Sequence, residues 1–261
     1  MPENKPYALI SGASSGIGYE IALNLADRGY DLLATGRDQT RLEQLRVECR
    51  ARSKRQVDIL VLDLGDPQGA EKLLSHWHDK LAGVEVLVNN AGFGVHGVFE
   101  NTPIDREMEL AHLQIDATLK LTKAVLGPMK SRRRGYILNV GSVYSFFPVP
   151  FQSVYGACKS FLRSFSEALS FETAGSGVHV CGLYPGSTLT AFRTRSGKAE
   201  KTGGMAANAV ASIGCAGLFA GRRRIVPGAI NRLIVFLARW APQSMFVGAL
   251  TRINRYRGVN H

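Results

Sequence analysis

Short apolar runs of strand length alternate with longer amphipathic segments along the first 190 residues of this chain. Such alternation is typical of repeated β-α-β units, in which helices cover both faces of a parallel sheet. Strands that are buried on both faces are apolar throughout, and the runs VEVLVNN, YILNVGS and VHVCGLYPG fit that description. The pattern therefore predicts an α/β fold in one domain, a doubly wound parallel sheet of six or seven strands.

The pattern also predicts where each element lies. The strands are predicted at 7–11, 31–35, 56–62, 84–89, 136–140 and 179–184. The helices are predicted at 18–28, 41–52, 67–81, 106–130, 154–173, 205–220 and 233–240. Residues 1–192 form the main domain in this interpretation, 193–221 begin with a polar loop, and 222–261 form a basic C-terminal helical extension.

The composition excludes a disordered chain, because 45% of the residues are hydrophobic and 20% are charged. The net charge of +11 raises the question of an anionic partner: nucleic acid, membrane lipid or a phosphorylated cofactor. The sequence contains no nucleic-acid-binding motif of known docking geometry, and its basic clusters are scattered over several predicted elements. We therefore predict no nucleic-acid partner.

The cysteines and histidines argue against a disulfide framework and against a metal site. Four cysteines lie far apart in the sequence, which fits a reduced compartment and predicts a cytoplasmic protein. His76 and His78 would lie about 200° apart on a helix, too far around it to share a metal ion. The polar start of the chain does not resemble a signal peptide, and no run of 18 apolar residues predicts a membrane span.

Three glycines follow the first predicted strand in the run SGASSGIG, at Gly12, Gly16 and Gly18. Glycine at a strand-to-helix turn lets the backbone turn tightly and approach a pyrophosphate, which the free N–H groups of the helix start attract. This GxxxGxG spacing indicates a dinucleotide-binding turn. An ordinary strand-to-helix turn is the alternative interpretation.

The second predicted strand ends in Gly36 and Arg37, and Asp38 follows one step later. An acidic residue at such a strand end binds the ribose hydroxyls of NAD, whereas an arginine accommodates the 2′-phosphate of NADP. Arg37 is therefore predicted to bind a 2′-phosphate, and the cofactor is predicted to be NADP(H) rather than NAD(H). A solvated arginine at the start of a helix is the alternative.

Tyr155 and Lys159 are four residues apart in a predicted helix and therefore share one face. A phenol with a pKa of about 10 is a poor base at neutral pH, but a nearby ammonium and an oxidised nicotinamide favour the phenolate. Ser142 follows a strand 13 residues upstream and could orient a carbonyl oxygen for hydride transfer. This set predicts carbonyl and alcohol oxidoreduction. A surface i,i+4 contact is the alternative for the Tyr-Lys pair.

Taken together, these motifs resemble the short-chain dehydrogenase/reductase family. The resemblance rests on SGASSGIG, on NNAG at 89–92, on Ser142, on the YxxxK run at 155–159, and on YPG at 184–186 with Thr190 after it. It implies a Rossmann-type fold, NADP(H)-dependent oxidoreduction, and a substrate lid at 193–221. It also implies a homodimer or homotetramer packed through the helices at 106–130 and 154–173.

The resemblance assigns roles to individual residues. The catalytic set would be Ser142, Tyr155, Lys159 and Asp116. The cofactor-binding set would be Gly12, Ser14, Ser15, Gly16, Ile17, Gly18, Arg37, Asp63, Leu64, Asn90, Ala91, Gly92, Tyr155, Lys159, Pro185, Gly186, Thr188 and Thr190. Asp63 would bind the adenine amino group, although it could instead cap the helix that follows.

Asp116 departs from the family pattern, which places an asparagine in the long helix before the catalytic serine. In this interpretation its carboxylate lies near Lys159, competes for the ammonium and raises the pKa of Tyr155. The hypothesis predicts a more alkaline optimum. It also leaves a slowly reacting, cofactor-binding sensor as an alternative function.

Two apolar features have open interpretations. Phe146, Phe147, Phe151 and Phe192 surround the catalytic residues in the sequence and predict either the wall of an apolar substrate pocket or ordinary core packing. Arginines surround the runs LIVFLARWAP and MFVGAL near the C-terminus. That extension could contact a membrane surface, contact another subunit, or cover a core helix with arginine stems.

Overall fold

The computed structural model describes residues 6–189, 204–240, 242, 244, 246–248 and 250–252. Its strands are β1 (Tyr7–Ser11), β2 (Asp31–Gly36), β3 (Val57–Val61), β4 (Val84–Asn89), β5 (Gly135–Val140), β6 (Val178–Leu183), β7 (Thr188–Leu189), β8 (Met205–Ala206) and β9 (Arg224–Ile225). Among these residues, seven strands form one parallel sheet in the order β3-β2-β1-β4-β5-β6-β9. The strands β7 and β8 pair separately with each other.

Helices lie on both faces of the sheet. They are α1 (Gly16–Asp27), α2 (Gln39–Ser53), α3 (Gly69–His76), α4 (His78–Leu81), α5 (Ile104–Ala111), α6 (Ala117–Ser131), α7 (Ser153–Glu172), α8 (Ala207–Phe219) and α9 (Ala229–Trp240). A π-helical turn, His112–Asp116, joins α5 to α6. Short 3₁₀ turns lie at Phe99–Asn101 and Val143–Phe146.

The core consists of two apolar layers, one on each side of the sheet. Alternate strand residues point to opposite faces, so that Ile10 packs into the layer under α1, α2 and α8 while Leu9 packs into the layer under α3, α6 and α7. Because both faces are covered, the central strands are apolar at nearly every position. This confirms the predicted doubly wound parallel sheet and fixes the number of its described strands at seven.

Two predicted helices are interrupted. The helix predicted at 67–81 is divided at Trp77, whose ring is buried and whose Nε1 donates to Asp58 Oδ2 at 3.0 Å. Burying this indole requires a turn of the chain that the polar-apolar pattern does not reveal. The helix predicted at 106–130 contains the π-helical turn, which inserts extra backbone and rotates the following side chains around the axis.

The C-terminal part is more integrated than the predicted boundaries suggest. β9 lies within the segment predicted as an extension, yet it pairs with β6 and buries Ile225 in the core. α8 lies within the segment predicted as a lid, yet Val210 and Cys215 pack under the sheet. The described part of 193–221 is thus mostly core helix, while residues 193–203 lie outside the described residues.

Buried amides connect the strands that carry the candidate site to the long helix α7. Asn89 Nδ2 donates to Asn139 Oδ1, and Asn139 Nδ2 donates to Ser166 Oγ, both at 2.8 Å. Buried polar groups with partners specify one arrangement, because leaving any of them unpaired is costly. This chain of bonds fixes α7 against the ends of β4 and β5.

Neither a spanning helix nor a disulfide is present in the described part of the chain. None of its helices is long and apolar enough to cross a membrane. Cys49, Cys158, Cys181 and Cys215 are all described, and each is buried and unpaired. The expected lack of a disulfide framework is therefore confirmed.

Replacing Gly177 by alanine should destabilise the fold more than replacing Gly175. Both have positive φ, +82° at Gly177 and +77° at Gly175. A Cβ added at Gly177 would overlap the carbonyl oxygen of Arg133, whereas a Cβ added at Gly175 would meet no other atom within 4 Å. The left-handed backbone alone lowers the free energy of unfolding by roughly 1–2 kcal/mol in Gly175→Ala. The overlap adds about 1–3 kcal/mol in Gly177→Ala, measured by urea denaturation. Equal losses would mean that the Arg133 carbonyl simply moves aside.

Candidate active site

A cleft of about 870 Å³ opens at the carboxyl ends of the sheet strands. Its centre lies beyond β1, which has β2 on one side and β4 on the other. Starting from β1, the strands β2 and β3 are therefore added on one side and the strands from β4 onward on the other. Ligands of open α/β sheets bind at the point where the strand order reverses in this way. The predicted site residues that line the cleft are Gly12, Ser14, Ser15, Gly16, Ile17, Arg37, Asp63, Leu64, Asn90, Ala91, Gly92, Ser142, Tyr155, Lys159, Pro185, Gly186 and Thr188.

The glycine turn lies at the floor of the cleft. Gly12 has a φ of +70°, and a Cβ there would lie 2.9 Å from Ala91 Cα. Gly18 lies behind the cleft wall, where a Cβ would overlap the side chain of Asn90. Ser15 precedes α1 in extended conformation and makes no side-chain cap of that helix. The first N–H groups of α1 are therefore available to an anion in the cleft.

Asn90 ties the ends of two neighbouring strands together. Its backbone N–H donates to Ser11 Oγ at 3.0 Å, and its Nδ2 donates to the backbone oxygens of Ser11 and Gly12, each at 3.1 Å. Ala91 N–H also donates to Ser11 Oγ, at 3.1 Å. These bonds hold the chain after β4 against the glycine turn and explain why the run NNAG lines the cleft.

Arg37 lies at the other end of the cleft, in a cluster of charged groups. Its Nη1 lies 3.2 Å from Asp63 Oδ2 and 3.3 Å from Glu109 Oε1. Asp38 is engaged elsewhere, because its Oδ1 accepts from Arg41 N at 3.0 Å and caps α2. Asp63 does not cap the next helix, since its Oδ1 accepts from Gly65 N at 2.8 Å within the preceding turn. Sequence reasoning missed Glu109, which is 72 residues away from Arg37 in the chain.

The structure brings the three principal catalytic candidates together. Tyr155 and Lys159 lie on the same face of α7, and Lys159 Nζ is 5.6 Å from the centre of the Tyr155 ring. Lys159 Nζ also donates to Val140 O at 2.9 Å, which fixes it at the end of β5. Ser142 follows β5 in extended conformation and lies in the same cleft, where its side chain favours the phenolate of Tyr155.

Burial governs the protonation of this pair. It lowers the pKa of Lys159 to about 8, because an ammonium loses its hydration in the protein interior. It raises the pKa of Tyr155 well above its ordinary value, and the hydrogen bond to Ser142 opposes that rise only in part. At neutral pH the phenol therefore keeps its proton and the amine carries its charge. This arrangement can donate a proton to a ligand oxygen in the cleft.

The structure does not bring Asp116 to this group. Its side chain is partly exposed, and its Oδ2 lies 2.6 Å from His112 Nδ1. The polar residue of the π-helical turn that faces the site is Gln114, which is buried beside Gly92 and donates from Nε2 to Phe93 O at 3.2 Å. Gln114 Oε1 has no partner among the described residues. The predicted placement of Asp116 near Lys159 is therefore wrong, because the extra backbone of the turn alters which residues face inward.

The apolar wall of the cleft differs from the predicted one. Phe146 packs against Tyr184 at 5.1 Å between ring centres, and Phe147 packs against Phe246 at 4.7 Å, both away from the cleft. Thr190 and Phe192 lie outside the described residues. Besides the predicted residues, apolar side chains that line the cleft include Phe93, Leu113, Val143, Tyr144 and Ile234. Sequence reasoning missed Ile234 because it lies on α9, far along the chain.

A dinucleotide cofactor fits this cleft. At Gly12 no Cβ covers the backbone, which lets a ligand approach the start of α1 closely. The cleft volume lies within the range of small-molecule sites. Arg37 at one end and Lys159 at the other are cations that suit an anionic, extended molecule. No group of three or more histidine, cysteine, aspartate or glutamate side chains that could hold a metal ion occurs among the described residues.

Two curated relatives share much of this chain. A very-long-chain 3-oxoacyl-CoA reductase from Phaeosphaeria nodorum is 34% identical over 179 residues, which are 67% of this chain and 52% of that protein. Human 17-beta-hydroxysteroid dehydrogenase type 3 is 35% identical over 191 residues, which are 71% of this chain and 60% of that protein. The match thus spans little more than half the length of either relative.

The fold matches a solved structure, and the sequence matches a family profile. A short-chain dehydrogenase from Sphingobium yanoikuyae in complex with NADPH superposes with a TM-score of 0.79 and 29% identity, over 92% of this chain and 97% of that one. The profile of the short chain dehydrogenase family matches residues 6–201. Since that match covers most of the chain, this protein belongs to the short-chain dehydrogenase/reductase family.

Proposed function

We propose that this oxidoreductase interconverts a carbonyl and an alcohol on an apolar small molecule with NADP(H) as its cofactor. The observation that carries the proposal is that Ser142, Tyr155 and Lys159 line one cleft, with Lys159 Nζ 5.6 Å from the centre of the tyrosine ring. A slowly reacting sensor has less support, because it was suggested by Asp116 and that carboxylate pairs with His112 instead.

The chain's own residues supply the proton chemistry. Ser142 holds the carbonyl oxygen of the substrate by a hydrogen bond, and Tyr155 donates its phenolic proton to that oxygen during reduction. Lys159 stabilises the phenolate that remains, since its buried ammonium lies over the ring, 5.6 Å from the ring centre. Oxidation of an alcohol reverses each of these transfers. NADP(H), when bound, supplies or accepts the hydride.

The choice of NADP(H) rests on the end of β2. Arg37 lines the cleft there, and the carboxylate of Asp38 is already used to cap α2. Asp38 also lines the cleft, but its Oδ1 accepts from Arg41 N, whereas an acidic residue that binds NAD directs its carboxylate to the ribose hydroxyls. The Sphingobium yanoikuyae dehydrogenase was solved with NADPH. Asp63 and Glu109 pair with Arg37, so a 2′-phosphate would have to compete with two carboxylates for this guanidinium.

The substrate class rests on the wall of the cleft. Phe93, Leu113, Val143 and Ile234 give the site an apolar surface near the catalytic tyrosine. Two relatives carry names that refer to substrates with a large apolar part, a very-long-chain 3-oxoacyl-CoA reductase and a hydroxysteroid dehydrogenase. We infer an apolar ketone, aldehyde or the corresponding alcohol.

A homodimer or homotetramer is part of the same proposal. Ile104 and Met108 lie four residues apart on α5 and are both exposed, which leaves an apolar stripe for another copy to cover. Helices α6 and α7 correspond to the segments through which the family resemblance implies subunit packing.

Tyr155→Phe should abolish turnover without abolishing cofactor binding. Loss of the proton donor lowers kcat for reduction of apolar ketones roughly a hundred- to ten-thousand-fold. NADPH fluorescence on mixing should be retained, because the glycine turn is untouched. Tyr136→Phe is the matched control, since Tyr136 lies on β5 outside the cleft lining and loses the same hydroxyl. Undiminished turnover by Tyr155→Phe would exclude the mechanism.

Changing the charges around Arg37 should alter the preference between the two cofactors. Arg37→Ala removes a charge-assisted contact and should weaken NADPH binding about tenfold or more. Glu109→Gln removes a competing carboxylate and should strengthen NADPH binding. Dissociation constants for NADH, measured in parallel by fluorescence titration, should change little in either variant. A change of equal size for both cofactors would contradict a role of Arg37 in binding a 2′-phosphate.

Activity in the reductive direction should fall as pH rises through about 8. Above that pH Lys159 loses its proton, because burial lowers its pKa to about 8, and the phenolate of Tyr155 loses its stabilising charge. Asp116→Asn should leave this profile of log kcat/KM against pH unchanged, since Asp116 pairs with His112. A shift of the alkaline limb in Asp116→Asn would restore the hypothesis that this carboxylate acts on Lys159.

A further inference from the structure

Helix α9 packs against the body of the protein through one face only. The less exposed side chains Asn231, Ile234, Val235 and Ala238 recur at the helical spacing of i, i+3, i+4 and i+7. Asn231 Nδ2 donates to Pro227 O at 2.7 Å, and Ile234 lines the cleft. Helix α9 therefore packs beside the cleft through this face.

The opposite face of α9 is apolar as well, although it points away from the protein. At about 100° of rotation per residue, its side chains lie across the helix from the packed face. They are between 47% and 75% exposed: Ile230, Leu233, Phe236, Leu237 and Trp240. The outward face of a helix on a freely soluble domain is normally polar. A contiguous apolar face of this kind marks a surface that binds something.

The charged side chains of α9 all have the same sign. They are Arg232 and Arg239, which are exposed beside the apolar face. The whole stretch 222–261 contains eight arginines and no aspartate or glutamate. Of Arg222, Arg223 and Arg224, only Arg224 is paired with a carboxylate of the described residues. Its Nη2 lies 2.6 Å from Glu167 Oε1. The partner of this surface must therefore offer an apolar region to the apolar side chains and negative charge to the arginines beside them.

We propose that the outward face of α9 docks on an anionic lipid bilayer. A helix of 12 residues is about 18 Å long, too short to cross a hydrocarbon core, so it lies in the interfacial plane. Its leucine, isoleucine and aromatic side chains enter the acyl boundary, Trp240 occupies the headgroup level, and the arginines contact lipid phosphates. A second copy of the chain fits less well, because a two-fold contact would bring the arginines of α9 toward the same arginines of the partner.

Docking in this orientation also brings the cleft to the lipid surface. Ile234, on the inner face of the same helix, lines the cleft, so α9 separates the site from the bilayer by one helix thickness. An apolar substrate dissolved in the membrane could then reach the site without crossing water. This consequence rests on the proposed function, whereas the docking itself does not.

Tryptophan emission gives a direct test, because the chain has two tryptophans in opposite environments. Trp77 is 1% exposed and Trp240 is 72% exposed, so a change of emission on binding reports on α9. The full-length protein is mixed with vesicles of phosphatidylcholine alone and of equal parts phosphatidylcholine and phosphatidylglycerol. We expect a blue shift with the anionic vesicles, little with the neutral ones, and reversal at high salt. Absence of binding to anionic vesicles would overturn the proposal.

A pair of matched variants tests the surface. Leu233→Glu places a carboxylate at the centre of the outward face and should weaken co-sedimentation with anionic vesicles about tenfold or more. Val47→Glu makes a similar change at an equally exposed apolar residue of α2 and should have no effect. Circular dichroism and NADPH binding verify that both variants fold. Equal weakening by both variants would overturn the assignment to α9.

The same variants separate a lipid partner from a protein partner. Mass measurement over a range of protein concentrations shows whether α9 joins two copies. Self-association that Leu233→Glu abolishes, without binding of the native chain to anionic vesicles, would overturn the lipid proposal in favour of a second copy. Loss of turnover in Tyr155→Phe with vesicle binding intact is expected, since the two properties depend on different residues.

Discussion

A buried ammonium holds helix α7 against the end of the sheet. Lys159 is 4% exposed, and its Nζ donates to Val140 O at 2.9 Å. Taking such a charge out of water is unfavourable by several kcal/mol unless it is paired or hydrogen-bonded. The bond to the end of β5 offsets part of that cost and fixes where Tyr155 stands, one helical turn away. Together with the bonds from Asn89 through Asn139 to Ser166, this contact therefore sets the orientation of α7 at the cleft.

The strands were predictable because their signal is local. A parallel strand that is buried on both faces must be apolar at nearly every position, and Tyr7–Ser11 and Val84–Asn89 have the predicted bounds. Elements that depend on distant partners escaped prediction. Arg224–Ile225 is a strand because β6 lies beside it, and Trp77 divides a helix because Asp58 accepts from its indole. Two residues at a sheet edge carry no periodicity of their own.

The candidate site was predictable to the extent that strand ends determine it. The glycine turn, Ser142 and the Tyr155–Lys159 pair follow directly from elements with strong patterns, and the structure brings them into one cleft. The positions of side chains whose direction depends on irregular backbone or on long-range contacts could not be predicted from the sequence. The π-helical turn selects Gln114 over Asp116, and Glu109 approaches Arg37 only after the whole sheet has formed. In both cases a change of helical phase or a tertiary contact overrides the local sequence.

The basic charge of residues 222–261 is carried by arginine rather than lysine. A guanidinium keeps its proton throughout the physiological pH range, and it is not a substrate for the acetylation that neutralises lysine. Attraction between this segment and a lipid phosphate is therefore insensitive to acidification and to that modification. In the proposed docking it depends instead on the Debye length of the medium and on the fraction of anionic headgroups, so lipid composition would set how much of the protein is bound to a bilayer.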